Sequence, residues 1–290
     1  MKKTNEQLIL ERAAHAFETT SDQITIVNRL MGGMSHLTYH IRYKDQDYTY
    51  RIIGKDGNLF VDRSIELDNL NRIIPLGINN ETVYFDVKTG EKAAKFVEGE
   101  VLTNLDIDQH LNDVVSLLKT LHQSNIEPAG DYGLIERLNL YETFTNDNDP
   151  LYDELKKAWI NIYENERKDK PKVFCHNDAQ RSNMVIGKNK LYLLDWEYAG
   201  YNEFYYDIAS FGNVDFKDAL KLLDVYLGRK ATKEEQNLVR FYRMFQALQW
   251  HQVATRKDMV GLSKDVGFDF NMLAQKYLML AQTLYNEIKG

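Results

Sequence analysis

The apolar periodicity of this chain changes once, near residue 97, and that change limits what it can fold into. Before it, apolar and polar residues alternate in short runs. Ile24 to Leu30, Leu37 to Tyr43 and Tyr48 to Ile53 predict three strands, the last two turned at Asp45-Gln46. Val61, Ile65, Leu67, Leu70, Ile73 and Ile74 recur at helical spacing and predict a helix within Phe60 to Ile74. Thr82 to Val87 and Glu91 to Phe96, turned at Lys88-Thr89-Gly90, predict a second hairpin. An amphipathic segment carrying Leu8, Ile9, Ala13, Ala16 and Phe17 precedes them all. Beyond Val97-Glu98-Gly99 the period is helical. Leu111, Val114, Val115, Leu118 and Leu121 mark a helix within Ile107 to Ser124. A more polar helix follows over Leu151 to Glu166, and most of the chain from Phe216 onward is helical. Glu127 to Pro150 is expected as a long irregular connection. Short strands are expected at Lys172 to Phe174, Met184 to Ile186 and Leu191 to Leu194. With 290 residues, each of two parts can hold its own core. The expected fold class is α+β, with a small β-rich lobe over residues 1–97 and a larger helical lobe over residues 98–290.

The short strands carry an unusual set of side chains. Cys175-His176-Asn177-Asp178-Ala179-Gln180-Arg181-Ser182-Asn183 is followed twelve residues later by Asp195-Trp196-Glu197. Asp178 and Asn183 are five apart, and each oxygen-bearing residue stands beside an apolar run. Packing alone seldom calls for that arrangement. One carboxylate near an attacking hydroxyl, plus an oxygen pair for a hard divalent cation, is what phosphoryl transfer requires. The spacing matches the kinase catalytic loop H-R-D-x-x-x-x-N.

From Gly32-Gly33 to about Trp250 the chain resembles the choline/ethanolamine kinases, a branch of the aminoglycoside phosphotransferase group within the protein-kinase-like superfamily. His176-Asn177-Asp178, Asn183, Asp195-Trp196-Glu197-Tyr198, Tyr201-Asn202 and Asp207-Ile208-Ala209 carry the resemblance. Aminoglycoside kinases more often have glycine where Asn177 stands, so this variant, with Gln180, leans toward the choline/ethanolamine branch. The resemblance implies a bilobal protein-kinase-like fold using ATP and Mg²⁺. It makes Asp178 the catalytic carboxylate, and Asn183 and Asp195 the metal ligands. Glu197 lies two residues beyond Asp195, so an extended segment points it the same way, toward a second metal or its water shell. Gly32, Gly33 and Ser35 would approach the phosphates, and Arg51 would neutralise them with Glu66 as its ion-pair partner. Phe96 and Val97 would hold the adenine edge. His176, Asn177 and Asp207 would support the loop, Asp207 also capping a helix. Trp250, Tyr201, Glu197 and Asp215 would contact the acceptor. Two positions depart from the family pattern. Ala247 stands where a second cage aromatic is usual, and Val214, with Asp215 adjacent, where an acid is usual.

The acceptor implied is the hydroxyl of a cationic amino alcohol, choline first and ethanolamine second. Another hydroxylated acceptor, such as an aminoglycoside or thiamine, keeps the same chemistry. A catalytically silent nucleotide-binding regulator is the reading from another class, although Asp178, Asn183 and Asp195 are all present. A net charge of −7 argues against nucleic acid as a partner. Cys175 is the sole cysteine, expected as a packed thiol, and no internal disulfide is possible. Glu6, Glu11 and Arg12 interrupt any leader-like apolar run, and no stretch approaches a membrane span. A cytoplasmic protein follows as the expectation.

Overall fold

The computed structural model describes residues 4–30, 36–54, 56–146 and 149–290. Packing divides the chain into two compact units that do not simply follow it. One comprises Met1–Thr120, Ile126–Ala129 and Arg181–Ala199. The other comprises Leu121–Asn125, Gly130–Gln180 and Gly200–Gly290.

The first unit opens with α1 (Asn5–Ala16), whose start is fixed by a capping box between Thr4 and Gln7. Strands β1 (Ile24–Leu30), β2 (His36–Tyr43) and β3 (Gln46–Ile53) follow, then α2 (Arg63–Arg72), β4 (Thr82–Phe85) and β5 (Lys92–Lys95). The chain order of three strands, a helix and two strands is the expected one, and the strands form one antiparallel sheet in the order β1-β2-β3-β5-β4. The β2–β3 turn lies at Lys44 and Asp45, both left-handed (φ 48° and 58°), one residue earlier than expected. That two-residue turn matches the right-handed twist of the strands it joins. Ile9 and Ala13 of α1 pack on Ile41, Tyr50 and Ala93 to make the core.

A small second sheet completes this unit. Strand β6 (Gly99–Val101) precedes α3 (Leu111–His122), and β6 pairs with a strand far along the chain. A Cβ on Gly99 would come within 2.1 Å of the Ile186 carbonyl oxygen, so only glycine permits that pairing.

Helices dominate the second unit. Residues 127–150, expected to be irregular, contain α4 (Leu134–Thr145). Its buried residues Leu134, Leu138, Tyr141 and Thr145 follow a helical 4-3-4 spacing, obscured in the sequence by the polar residues between them. Next come α5 (Pro150–Ile162), a single π-turn at Tyr163–Arg167, and β7 (Val173–Cys175). Strands β8 (Met184–Gly187) and β9 (Leu191–Leu193) belong to the first unit and join β6 in the order β6-β8-β9. Then β10 (Gly200–Asn202) pairs with β7, followed by α6 (Tyr205–Phe211), α7 (Phe216–Leu227), α8 (Lys233–Met259), α9 (Leu262–Val266) and α10 (Phe270–Lys289). Among the described residues no helix is long and apolar enough to cross a membrane.

The core of this unit is built around Trp159. Its ring stacks on Phe241 and Tyr163 at centroid distances of 4.7 and 5.2 Å, and its indole N–H donates to the Phe241 carbonyl at 3.0 Å. Trp159→Ala should therefore lower stability by about 3–5 kcal/mol in urea denaturation, from lost burial and the cavity left behind. A loss below about 1 kcal/mol would mean that the helices close without this ring.

Candidate active site

The expected site residues fall into two groups, one in each unit. In the first unit they form a buried cluster of charges. Arg51 on β3 donates to both carboxylate oxygens of Glu66 on α2, at 2.8 and 3.0 Å, and to the Gly90 carbonyl at 3.1 Å. It also bonds Asp195 Oδ1 at 3.2 Å and lies 3.9 Å from Glu197. Arg51, Arg63 and Glu66 are each 5% exposed or less. Burial works to lower the Arg51 guanidinium, but Glu66, Asp195 and Glu197 outweigh it and raise it above its ordinary value.

Sequence reasoning did not mark two further cations in this cluster. Arg63 bonds Glu66 at 2.5 Å and Glu197 at 2.8 Å, and is itself held by Asn58 and the Gly57 carbonyl. Its place three residues before Glu66 on one helix was the available signal. Lys92 reaches Glu66 at 3.6 Å, and stands opposite Arg51 in the β3–β5 register. Burial and the Arg51 charge push its ammonium below the ordinary lysine value. Only the pairing of two distant strands reveals it.

Asp195 is left-handed (φ 66°), so the segment to Glu197 is not extended as expected. The two carboxylates nonetheless converge on Arg51, because the turn compensates for the lost alternation. Aspartate tolerates this backbone better than most residues. Glu197 also bonds His36 at 3.1 Å. Burial works to raise the Glu197 carboxyl, but His36, Arg51 and Arg63 together hold it at about 2. Its carboxylate is thus engaged by cationic side chains. Asp195 differs, keeping 36% of its side chain exposed. Asn183 ends the turn before β8, and its carbonyl accepts the Leu194 N–H at 2.8 Å, which ties the two expected metal ligands to one hairpin.

Donor chemistry fits a hard cation here, since an amide oxygen and a carboxylate are oxygen ligands of the type Mg²⁺ takes. A phosphate site fits as well. Among the described residues Arg51 Nε is a buried donor with no partner. Gly32, Gly33 and Ser35 lie outside the described residues. The Phe96 N–H is occupied by the Asp47 carbonyl at 2.9 Å, and the Phe96 ring stacks on His40 at 3.9 Å.

In the second unit a single carboxylate fixes the loop that bears Asp178. Asp207 is fully buried and accepts the backbone N–H groups of His176 and Asn177 at 2.8 and 2.7 Å, and His122 Nε2 at 3.0 Å. It is the third residue of α6, and its carboxylate serves the loop instead of capping the helix, whose start at Phe204 has no side-chain cap. Asn177 is left-handed (φ 61°), and its side-chain carbonyl accepts from Asn202 at 2.9 Å. A position of positive φ suits asparagine or glycine, the two residue types expected there. The Asp178 N–H donates to His176 Nδ1 at 3.2 Å, which leaves the proton of that neutral ring on Nε2. Gln180 Nε2 donates to Asp178 Oδ1, and Gln180 Oε1 accepts from Asn213 at 2.5 Å. Cys175 is a packed thiol, pushed well up by burial, whose Sγ donates to the Asn202 carbonyl. His122, Cys175 and Asp207 lie within 4.8 Å of one another, but the bonds of Asp207 commit this trio to bracing.

The expected acceptor contacts vary. Tyr201 lies on β10 opposite Phe174, and Trp250 is half-buried on α8. Asp215 is exposed and caps α7, accepting the Lys217 N–H at 2.9 Å. Trp196 is fully buried, its indole N–H on the Leu193 carbonyl.

Comparison with known proteins gives this geometry a family context. The sequence profile described as choline/ethanolamine kinase matches residues 27–214. Protein LicA of Haemophilus influenzae is 25% identical over 62% of this chain, and the match spans 56% of that protein's length. A protein described as probable choline kinase 3 from Arabidopsis thaliana is 27% identical over 55% of this chain and 49% of its own. Among solved structures, choline kinase LicA from Streptococcus pneumoniae superposes with a TM-score of 0.77, at 20% identity, over 95% of this chain and 98% of that one. The GDP complex of aminoglycoside 2'-phosphotransferase-IIIa superposes at 0.67, at 13% identity, over 97% and 99%. The fold is therefore protein-kinase-like.

Glu197 gives stability a pH dependence of definite sign. Its folded value lies below its ordinary 4.5, so its stabilisation is complete above that pH and is lost as pH falls toward about 2. The gap corresponds to about 3 kcal/mol at full effect. Glu197→Gln should cost stability of that order at pH 7 and flatten the decline on acidification, measured by urea denaturation across a pH series. Equal declines in both proteins would detach the acid sensitivity from Glu197.

Proposed function

This chain belongs to the choline/ethanolamine kinase family, and we propose that it is a phosphotransferase that moves the γ-phosphoryl group of ATP, with Mg²⁺, to the hydroxyl of an amino alcohol. Choline is the first candidate and ethanolamine the second. In this reading residues 1–97 form the nucleotide-binding lobe and residues 98–290 the catalytic lobe, in a cytoplasmic protein.

The observation that carries the proposal is the fixing of Asp178. Two backbone N–H groups on Asp207 and the His176 ring hold the loop, so the carboxylate is oriented before any substrate arrives. It would accept the acceptor's hydroxyl proton as the new P–O bond forms, while Gln180 steadies its Oδ1. A loose transition state asks for orientation more than for a strong base. Asn183 and Asp195 would hold Mg²⁺, which when bound neutralises charge on the phosphate oxygens. Arg51 would offer its open Nε to a phosphate, with Glu66 keeping the guanidinium in place. Glu197 takes a positioning part, anchoring Arg63 and His36. Val97 and the Phe96 carbonyl are the groups left for the adenine edge.

The test is ADP release from ATP and Mg²⁺ with choline, ethanolamine, thiamine and an aminoglycoside. Asp178→Asn should reduce turnover by at least about 100-fold, the scale of one positioned acid–base group, with nucleotide binding kept. Unchanged turnover in that variant would refute the role of Asp178. Turnover of an aminoglycoside alone would move the acceptor to another class.

A further inference from the structure

Arg243 lies in the middle of α8, 4% exposed, with no carboxylate paired to it among the described residues. Its two hydrogen bonds go to neutral acceptors, Gln246 Oε1 at 3.1 Å and the Asn213 carbonyl at 3.5 Å. A guanidinium carries five N–H donors, so most of its capacity is left over. Burial pulls it below the ordinary arginine value, only partly offset by Tyr277, Tyr206 and Asp178. Nothing about holding one carbonyl requires a buried full charge, since an amide would do that at lower desolvation cost.

The surroundings tie this cation to the catalytic loop. Asn213 accepts from Arg243 through its backbone and donates to Gln180 through its side chain, and Gln180 bonds Asp178. Asn213 Oδ1 is buried and has no partner among the described residues. Gln246 cannot supply one, because its amide donates to the Tyr206 carbonyl and Ser210 Oγ. Tyr277 on α10 is half-buried and sits within the fields of both Arg243 and Asp178. A buried cation with spare donors and a buried acceptor with none thus stand together, linked to Asp178 through one glutamine.

We infer that Arg243 recognises an anionic oxygen group, a carboxylate or a phosphate, on the acceptor whose hydroxyl Asp178 orients. The inference rests on the kinase reading above, and it moves the acceptor from bare choline to amino alcohols bearing an acid group. The guanidinium fork suits a carboxylate or phosphate. The open Asn213 Oδ1 suits an N–H of the same ligand. Arg243 acts here as a specificity residue, touching the acceptor away from the transferred phosphoryl group.

Matched pairs test it: ethanolamine against L-serine, choline against L-carnitine, and glycerol against glycerol 3-phosphate. Each pair adds one anionic group, and the last separates phosphate from carboxylate. Calorimetric binding to the full chain should favour the anionic member of at least one pair by about 10-fold or more. Arg243→Gln should erase that preference, and Arg243→Lys should restore part of it. If Arg243→Gln folds poorly, Arg243→Lys decides, because a mere brace of Asn213 gives no charge-dependent selectivity. Equal or better binding of the neutral members, or failure of all three anionic probes to bind, overturns the inference. Choline turnover with no preference for the anionic member of any pair would keep the kinase reading and discard this one. L-serine binding that is lost in Arg243→Gln but never yields ADP would do the reverse.

Discussion

Glu66 is the fixed point of the first unit. Its buried carboxylate is approached by Arg51, Arg63 and Lys92, and those side chains bring together β3, α2 and β5. Through Arg51 and Arg63 the same cluster takes in Asp195 and Glu197 beyond β9. Removing ions from water costs several kcal/mol each, so such a cluster adds little net stability compared with an apolar core. Its effect is on specificity. With one partner misplaced, a buried charge is left uncompensated, so the arrangement with every pair made is strongly preferred over its neighbours. The position of Arg51 is thereby set by several contacts at once.

The second unit solves the equivalent problem with one acid and neutral donors. Asp207 is as buried as Glu66, but it is satisfied by two backbone N–H groups and a histidine ring. Hydrogen bonds from backbone amides position a loop without adding countercharges near Asp178. The left-handed backbone at Asn177 is local strain of the kind that persists where surrounding bonds over-determine it. Four hydrogen bonds do so here: the side-chain amide donates to the Cys175 and Gly200 carbonyls, the backbone N–H donates to Asp207, and the side-chain carbonyl accepts from Asn202.

The parts legible in the sequence were those governed by short-range periodicity. Strands β2 and β3 alternate through Leu37, Tyr39, Ile41 and Tyr48, Tyr50, Ile52, and the chain order of three strands, a helix and two strands was legible, whereas the pairing of β3 with β5 was not. The oxygen-bearing motif was legible because its spacing reflects one loop and one hairpin. Helix α4 was missed because polar residues Glu136, Arg137 and Glu142 mask its buried face. Pairing of β6 with β8 was out of reach, being set across about eighty residues by the close approach at Gly99. Lys92 and Arg243 share that limitation. Each is an ordinary charged residue in sequence, and only register in one case and burial without a carboxylate in the other set it apart.

Charge balance in the first unit bears on how the proposed nucleotide would bind there. Glu66, Asp195 and Glu197 are matched by Arg51, Arg63 and Lys92, three acids against three bases. A divalent cation at Asp195 would compete with Arg51 for the same oxygen and leave a surplus of positive charge. A bare triphosphate at Arg51 would weaken the hold on Asp195 and leave a surplus of the opposite sign. The two together would add less charge than a bare triphosphate, and each would take the partner that the other releases. Glu66 and Arg63 are paired at 2.5 Å without either ligand site, so that pair would hold the frame if Arg51 and Asp195 exchanged partners. In the proposed kinase reading, this self-satisfied cluster would admit a metal–nucleotide complex as a unit.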